Sequence, residues 1–120
     1  MWEDILQRKD KIEYPTQYVL LGQAYLIKGN FNKAIKAYQQ ALMMKPKWPE
    51  AQLFIANAWF KKAVNSTNVA DRDRDKWLHK ALIHYNKAES LSSHSIIGDG
   101  ARRQMKEVDK NIKNCFKNDN

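Results

Sequence analysis

Residues 15–46 of this chain read PTQYVLLGQAYLIKGNFNKAIKAYQQALMMKP, and their pattern indicates the architecture. Apolar and small residues recur at three- and four-residue spacing on both sides of Gly29-Asn30, as in two amphipathic helices joined by a tight turn. Proline suits the first turn of a helix, as at Pro15, and it stops a helix at Pro46. The positions that define the pattern are Tyr18, Leu21, Gly22, Tyr25, Ala34, Tyr38 and Ala41.

A second copy of the pattern begins at Pro49. In its first helix the matching residues each follow their counterparts by 34 positions: Gln52, Ile55, Ala56 and Trp59. In its second helix the offset is 47 positions, for Ala81, Tyr85 and Ala88. The difference between the two offsets places 13 inserted residues near 62–76. Coincidental matches would not share one offset, so residues 49–93 are a repeat of residues 15–48.

The spacing resembles the tetratricopeptide repeat over about residues 15–93. The most specific parts are Tyr18-x-x-Leu21-Gly22-x-x-Tyr25 and Ala34-x-x-x-Tyr38-x-x-Ala41-x-x-x-x-Pro46. The resemblance implies an all-α protein, a right-handed α–α solenoid of about five helices, whose role is protein–protein contact rather than catalysis. The second repeat departs from the family pattern at three positions, Gln52 for an aromatic residue, Ala56 for glycine and Ser93 for the closing proline.

We expect a single domain over residues 1–120. Its predicted parts are an N-terminal segment at 1–14, repeat 1 at 15–48, repeat 2 at 49–93 with the insertion near 62–76, and a capping helix at 99–117. Asp99 is a candidate N-cap of the last helix, which presents Ala101, Met105, Val108 and Ile112 along one face. Trp2, Ile5 and Leu6 indicate a short amphipathic helix in the N-terminal segment. The insertion either extends both helices of repeat 2 or forms a loop.

The candidate binding site follows from the resemblance, because the first helix of each tetratricopeptide repeat lines the concave surface of the solenoid. The partner-binding positions expected there are Val19, Gln23, Leu26, Leu53, Asn57 and Phe60. Ile27 and Lys61 lie among the other positions expected to face the groove. An exposed apolar row of this kind favours an amphipathic helix or an extended apolar peptide as ligand. The alternative is that the chain's own terminal helix covers these residues.

The charge balance bears on the kind of partner. The formal net charge is +8, and residues 15–48 hold five lysines and no acidic residue. An acidic partner would be attracted, although the lysines also fit a solvated outer surface. A second hypothesis is self-association, in which the groove accepts the Met1–Tyr14 segment of another copy. Nucleic acid is a weaker third hypothesis, because Glu107 and Asp109 dilute the basic face of the last helix and no nucleic-acid-binding motif is present.

Side chains for catalysis, metals or cofactors are scarce, so we expect no enzyme, no cofactor and no metal site. His79, His84 and His94 have no metal-ligand spacing with Cys115. The alternating acids of residues 71–75 lack the glycine and the later glutamate of a calcium loop, and they fit the start of a helix better. We find neither a basic leader followed by an apolar stretch nor about 18 consecutive apolar residues, which predicts a cytoplasmic location.

Overall fold

The computed structural model describes residues 14–92 and 96–117, and the side chains of residues 14–92 and 98–113. These residues form five α-helices and contain no strand. The helices are α1 (Pro15–Ile27), α2 (Phe31–Met44), α3 (Pro49–Asn65), α4 (Asp71–Leu91) and α5 (Ile96–Lys117). The all-α prediction is confirmed. The expected helix at Trp2, Ile5 and Leu6, as well as Ser93 and His94, lie outside the described residues.

Local chemistry explains where the first hairpin turns. Pro15 begins α1 directly after the extended backbone of Tyr14. Gly29, just beyond the end of α1, has a φ of +81°, which glycine adopts without steric cost. The side chain of Asn30 then accepts a hydrogen bond from the backbone N–H of Lys33 and caps α2. The tight turn predicted at Gly29-Asn30 is therefore present.

The helices stack in chain order as two hairpins and a final helix. α1 packs on α2, α2 on α3, α3 on α4, and α5 on α4 with a smaller contact to α3. Core positions at the offsets of 34 and 47 are buried in both hairpins. The fully buried pairs are Leu21 with Ile55, Ala34 with Ala81, Tyr38 with Tyr85, and Ala41 with Ala88. The second hairpin is thus a structural repeat of the first, with one shared core between them.

The equivalence extends to contacts between lysine and aromatic rings. Lys33 Nζ lies 5.5 Å from the ring centroid of Tyr25, and Lys80 Nζ lies 4.6 Å from that of Trp59. Tyr25 and Trp59 are 34 positions apart, and the two lysines are 47 apart. A cation above an aromatic face is attracted by the ring quadrupole, so both hairpins hold the second helix against the first in the same way.

The inserted residues lengthen the second hairpin. α3 continues to Asn65 and α4 begins at Asp71, so α3 and α4 have 17 and 21 residues where α1 and α2 have 13 and 14. Acidic side chains occupy the first turn of α4, where the helix dipole favours them. Arg74 Nη2 donates a hydrogen bond of 2.9 Å to the carbonyl of Ser66 and closes the connecting loop. The insertion therefore forms a projecting helix hairpin.

The last helix begins at Ile96, three residues before the predicted start, so Asp99 lies in the first turn and is not the N-cap. The helix dipole favours an acidic residue at any position of the first turn. Asp99 therefore indicates that a helix begins nearby, but it does not identify the first residue of that helix. Arg102 pairs with Asp99 and, at 3.3 Å, with Glu89 of α4. Ala101 and Val108 of this helix are buried, and the helix packs on α4. None of the described helices has both the length and the apolar character needed to cross a membrane.

Candidate functional site

The exposed face of α1 lies opposite the face that packs on α2. Core residues such as Leu21 and Tyr25 occupy one side of the helix. Leu20, Gln23 and Ile27 occupy the other side at spacings of three and four residues, and Leu20 and Ile27 are 39% and 87% exposed. Residues seven apart lie on the same side of a helix, because two turns take about 7.2 residues. We call Leu20, Gln23 and Ile27 the α1 stripe.

The corresponding face of α3 carries Asn57, Lys61 and Val64, which we call the α3 stripe. Lys61 and Val64 are exposed, and Asn57 is partly exposed. Asn57 and Lys61 stand 34 positions after Gln23 and Ile27, so the two stripes face the same side of the stack. Phe54, the counterpart of Leu20, instead stacks on Tyr38 of the first repeat, with ring centroids 6.1 Å apart. We call the surface formed by both stripes the groove face.

The residues named from the sequence lie in and beside this face. Gln23 and Asn57 belong to the stripes. Leu26, Leu53 and Phe60 are partly buried and pack against the core. Val19 is only 5% exposed. The exposed row expected along Val19, Leu26, Leu53 and Phe60 is therefore not open, because these four residues lie on the flank of each helix next to the core.

Sequence reasoning misses two exposed aliphatic residues of the groove face. Leu20 sits between Val19 and Leu21 in an apolar run, where periodicity alone does not mark the exposed member. Its spacing of seven residues from Ile27 is the available signal. Val64 escapes notice because it lies in the insertion, for which the sequence leaves helix and loop as alternatives. It is seven residues after Asn57, on the same side of the lengthened helix.

A hydrogen bond orients the amide of Asn57. The hydroxyl of Tyr85 donates to Asn57 Oδ1. The Nδ2 group of Asn57 remains available to donate outward from the α3 stripe. In the first repeat the hydroxyl of Tyr38, the counterpart of Tyr85, is buried and has no hydrogen-bond partner in the described part of the chain. Burial raises the pKa of Tyr38 to about 12 and also raises that of Tyr85.

Gln52, which departs from the family pattern, has a structural partner. His84 Nδ1 lies 2.7 Å from Gln52 Oε1, and this hydrogen bond joins α3 to α4. Because a side-chain carbonyl oxygen accepts, His84 Nδ1 carries the proton. Burial, and then the charges of Lys87 and Lys80, lower the pKa of His84 to about 4. His84 is therefore neutral at pH 7 and connects two core helices.

Within the described residues no three His, Cys, Asp or Glu side chains lie close enough together to hold a metal ion. The acids of residues 71–75 begin α4. Asp75 Oδ2, in that segment, lies 3.4 Å from Nδ1 of the exposed His79.

The stacked hairpins with a repeated core define a helical repeat protein. Residues 15–47, which include both helices of the first hairpin, match the family model described as tetratricopeptide repeat. Repeats of this family generally mediate protein–protein interaction and generally act as scaffolds or adaptors without enzymatic activity. No curated protein sequence matches the chain.

Proposed function

We propose that this protein is a non-enzymatic adaptor that binds a peptide or helix of a partner protein on the groove face. The observation that carries the proposal is the α1 stripe, where Leu20 and Ile27 are exposed on the side of the helix that α2 does not cover. Val64 extends the apolar surface onto α3. Apolar side chains seven residues apart suit the apolar stripe of a partner helix, which has the same spacing.

Polar groups beside the apolar residues would orient the ligand. Gln23 and the outward Nδ2 group of Asn57 can hydrogen-bond to the backbone of an extended segment or to polar side chains of a helix. Lys61 supplies a positive charge on the same face, and the chain as a whole carries +8. Apolar burial would provide most of the affinity, while the charge speeds association with an acidic partner and makes the on-rate fall with salt.

The flanking residues named from the sequence have a supporting role in this proposal. Leu26, Leu53 and Phe60 remain partly exposed and form the floor beside the two stripes. Val19 lies below them in the core. Substituting these residues would disturb packing as well as binding, so a clean test uses Leu20 and Ile27 instead.

The test uses two double variants. The stripe variant combines Leu20→Ser with Ile27→Ser, and the matched control combines Met43→Ser with Ile83→Ser. Met43 and Ile83 are exposed apolar residues of α2 and α4, which are not the helices that carry the stripes. Partners would be captured on wild-type protein from nuclease-treated lysate, identified by mass spectrometry, purified and titrated against all three proteins. Full burial of an aliphatic side chain contributes about 1.5–3 kcal/mol, so the stripe variant should lose about 2–4 kcal/mol of binding, or about 30- to 1,000-fold in affinity.

The two variants separate the possible outcomes. A partner that the control binds as tightly as wild type does, and that the stripe variant binds at least about 30-fold more weakly, supports the groove face. Equal binding by both variants contradicts it. Circular dichroism tests whether each variant keeps its helices. Light scattering over a dilution series shows whether the bound protein is a second copy, as the self-association hypothesis requires.

A further inference from the structure

A cavity lies where the first repeat meets the second. It has a volume of about 420 Å³ and is bordered by the end of α2, the start of α3 and the last two turns of α4. We call it the junction cavity. It lies at the opposite end of the hairpins from the Gly29-Asn30 turn, and no residue of the α1 or α3 stripe lines it. The junction cavity is therefore a surface separate from the groove face.

Part of the lining of the junction cavity is apolar. Leu42 and Pro46 come from the end of the first repeat, and Leu91 is the last residue of α4. Leu42 packs against the core, whereas Leu91 is 41% exposed. Ligand pockets of about 300–1,000 Å³ typically combine an apolar lining with a few polar groups. The junction cavity thus has the size and the lining to take up an aliphatic side chain.

Gln52 places a buried amide in the same cavity. Gln52 lines the cavity and is only 6% exposed, and its Oε1 accepts the hydrogen bond from His84. Gln52 makes no other side-chain hydrogen bond among the described residues, and its Nε2 is not one of the fully enclosed atoms that lack a partner. Nε2 therefore keeps access to the cavity. Because Oε1 is engaged, the polar group that Gln52 offers to a ligand is an N–H donor.

Lys87 gives the junction cavity a positive charge. It is the one charged residue among the described residues that line the cavity, and none of them places a carboxylate within 4.0 Å of its ammonium group. Burial, and then the charge of Lys87, lower the pKa of His84, so this ammonium group acts close to the residue that bonds the buried amide. The acidic residues nearest in sequence to the lining, Glu50 and Glu89, do not line the cavity, and Glu89 is paired with an arginine of α5.

We propose that the junction cavity binds a segment of a partner protein in which an aliphatic residue stands next to an acidic one. The aliphatic side chain lies against Leu42, Pro46 and Leu91, and the carboxylate accepts hydrogen bonds from Gln52 Nε2 and Lys87 Nζ. Both of these groups donate and neither accepts, and a cationic donor makes its strongest hydrogen bond with a charged acceptor. The site does not depend on the groove face, so its ligand can be another part of the same partner or a second protein.

The lining favours a protein segment over a nucleic acid. Single-stranded nucleic acid is held by bases stacked on aromatic rings and by several contacts to phosphates. The described residues that line the junction cavity include one cation and no aromatic ring. A phosphate backbone would also leave the apolar part of the lining uncovered, whereas an aliphatic side chain removes it from water. An aliphatic residue beside an acidic one therefore matches both parts of the lining.

The test titrates the full chain with the capped peptide acetyl-Gly-Gly-Leu-Glu-Gly-Gly-amide and follows the backbone amide signals and the side-chain amide signal of Gln52 by NMR. Two reference peptides carry Leu-Gln or Ala-Glu at the centre, which removes the charge or the aliphatic side chain. Lys87→Gln is matched by Lys36→Gln, which removes an exposed lysine of α2 outside the cavity. Leu91→Ser is matched by Met44→Ser, because Met44 ends α2 as Leu91 ends α4, is 45% exposed and does not line the cavity.

We expect the Leu-Glu peptide to shift the signals of Gln52 and Leu91, and to bind about threefold or more tightly than either reference peptide. Lys87→Gln and Leu91→Ser should each weaken its binding by about threefold or more, and each control by less than about 1.5-fold. In the Lys87→Gln variant the Leu-Glu and Leu-Gln peptides should bind equally, because the cation that distinguishes them is gone. The stripe variant should bind the Leu-Glu peptide as wild type does, which separates this site from the groove face.

Several results would overturn the proposal. The absence of a shift at Gln52, or shifts that are lost in the stripe variant, would show that the peptide does not bind in the junction cavity. Equal weakening by Lys36→Gln and Lys87→Gln would show diffuse charge attraction, and equal binding of the Leu-Gln peptide by wild type would show that no carboxylate is recognised. Tighter binding of oligouridylate, or of isovalerate as a free aliphatic acid, would assign the cavity to a nucleic acid or to a small molecule.

Discussion

Gly22→Ala is the sharpest test of how the two helices of the first repeat pack. A Cβ atom at position 22 would lie 2.6 Å from Cε1, 2.8 Å from Cδ1 and 2.9 Å from Cζ of Tyr38. The Tyr38 ring is fully buried and stacks on Phe54, so moving it away from the added methyl group would disturb the core. Overpacking of a core typically costs about 1–3 kcal/mol. Alanine is favoured over glycine inside a helix by about 1 kcal/mol, which offsets part of that cost.

The net expectation is that Gly22→Ala lowers the free energy of unfolding by about 0–2 kcal/mol. Gly100→Ala in α5 is the matched control, because no heavy atom lies within 4 Å of its Cβ position. That variant gains the helix preference without a clash and should be more stable by about 0.5–1 kcal/mol. Urea unfolding followed by circular dichroism measures both changes. Because the helix preference of alanine contributes to both variants, the difference between them reports the clash with Tyr38.

A double-mutant cycle locates the cause at Tyr38. In a Tyr38→Leu background the ring atoms are gone, so Gly22→Ala should cost at least about 1 kcal/mol less than in the wild type. A Gly22→Ala variant stabilised as much as Gly100→Ala would refute the close packing of Gly22 on Tyr38. A cost that is unchanged in the Tyr38→Leu background would refute Tyr38 as its origin.

Two further predictions concern buried polar groups. Tyr85→Phe should destabilise the protein by about 1 kcal/mol, because it leaves Asn57 Oδ1 without its donor. Tyr38→Phe should leave the stability unchanged, because the Tyr38 hydroxyl has no partner in the described structure. Equal losses of stability for both variants in urea unfolding would contradict this. The pKa of His84 is lowered in the fold from 6.5 to about 4, so the unfolded chain binds the proton first and stability should fall as the pH drops through that window. His84→Gln should flatten the pH dependence of the unfolding free energy between pH 6.5 and 4, and an unchanged slope would exclude His84 as its source.

The repeat architecture is predictable because it rests on spacing. The offsets of 34 and 47 identify both hairpins from the amino-acid sequence, and the buried pairs Tyr38 with Tyr85 and Ala34 with Ala81 confirm the alignment. The family model covers only residues 15–47. The second hairpin is recognised through its register, since a repeat keeps the same core positions even when an insertion separates its helices.

The exposure of individual groove residues is less predictable, because periodicity defines a helix face to within about one residue. Val19 and Leu20 are adjacent and both apolar, yet Val19 is buried and Leu20 is exposed. The difference depends on which neighbouring element covers the flank of α1, and the sequence of α1 does not contain that information. The exposure of Leu53 and Phe60 likewise depends on the elements that pack beside α3.

Gln52 shows the limit of comparing residues with a family pattern. By that comparison, Gln52 is only a position at which the aromatic residue of the family pattern is missing. In the fold it accepts a hydrogen bond from His84, a residue 32 positions away that belongs to no family motif. A polar residue at a buried position requires a partner, and pairing two such residues across a long separation depends on the tertiary structure.

NMR mapping with a bound partner segment would show directly whether the groove face is the binding site. Isotope-labelled protein would be titrated with the segment of a captured partner, and shifts of the backbone amide signals would be assigned to residues. We predict that the largest shifts fall on the α1 and α3 stripes, and that they disappear in the variant with Leu20→Ser and Ile27→Ser. Shifts confined to the exposed surfaces of α2 and α4 around Met43 and Ile83, or shifts that persist in the stripe variant, would contradict it.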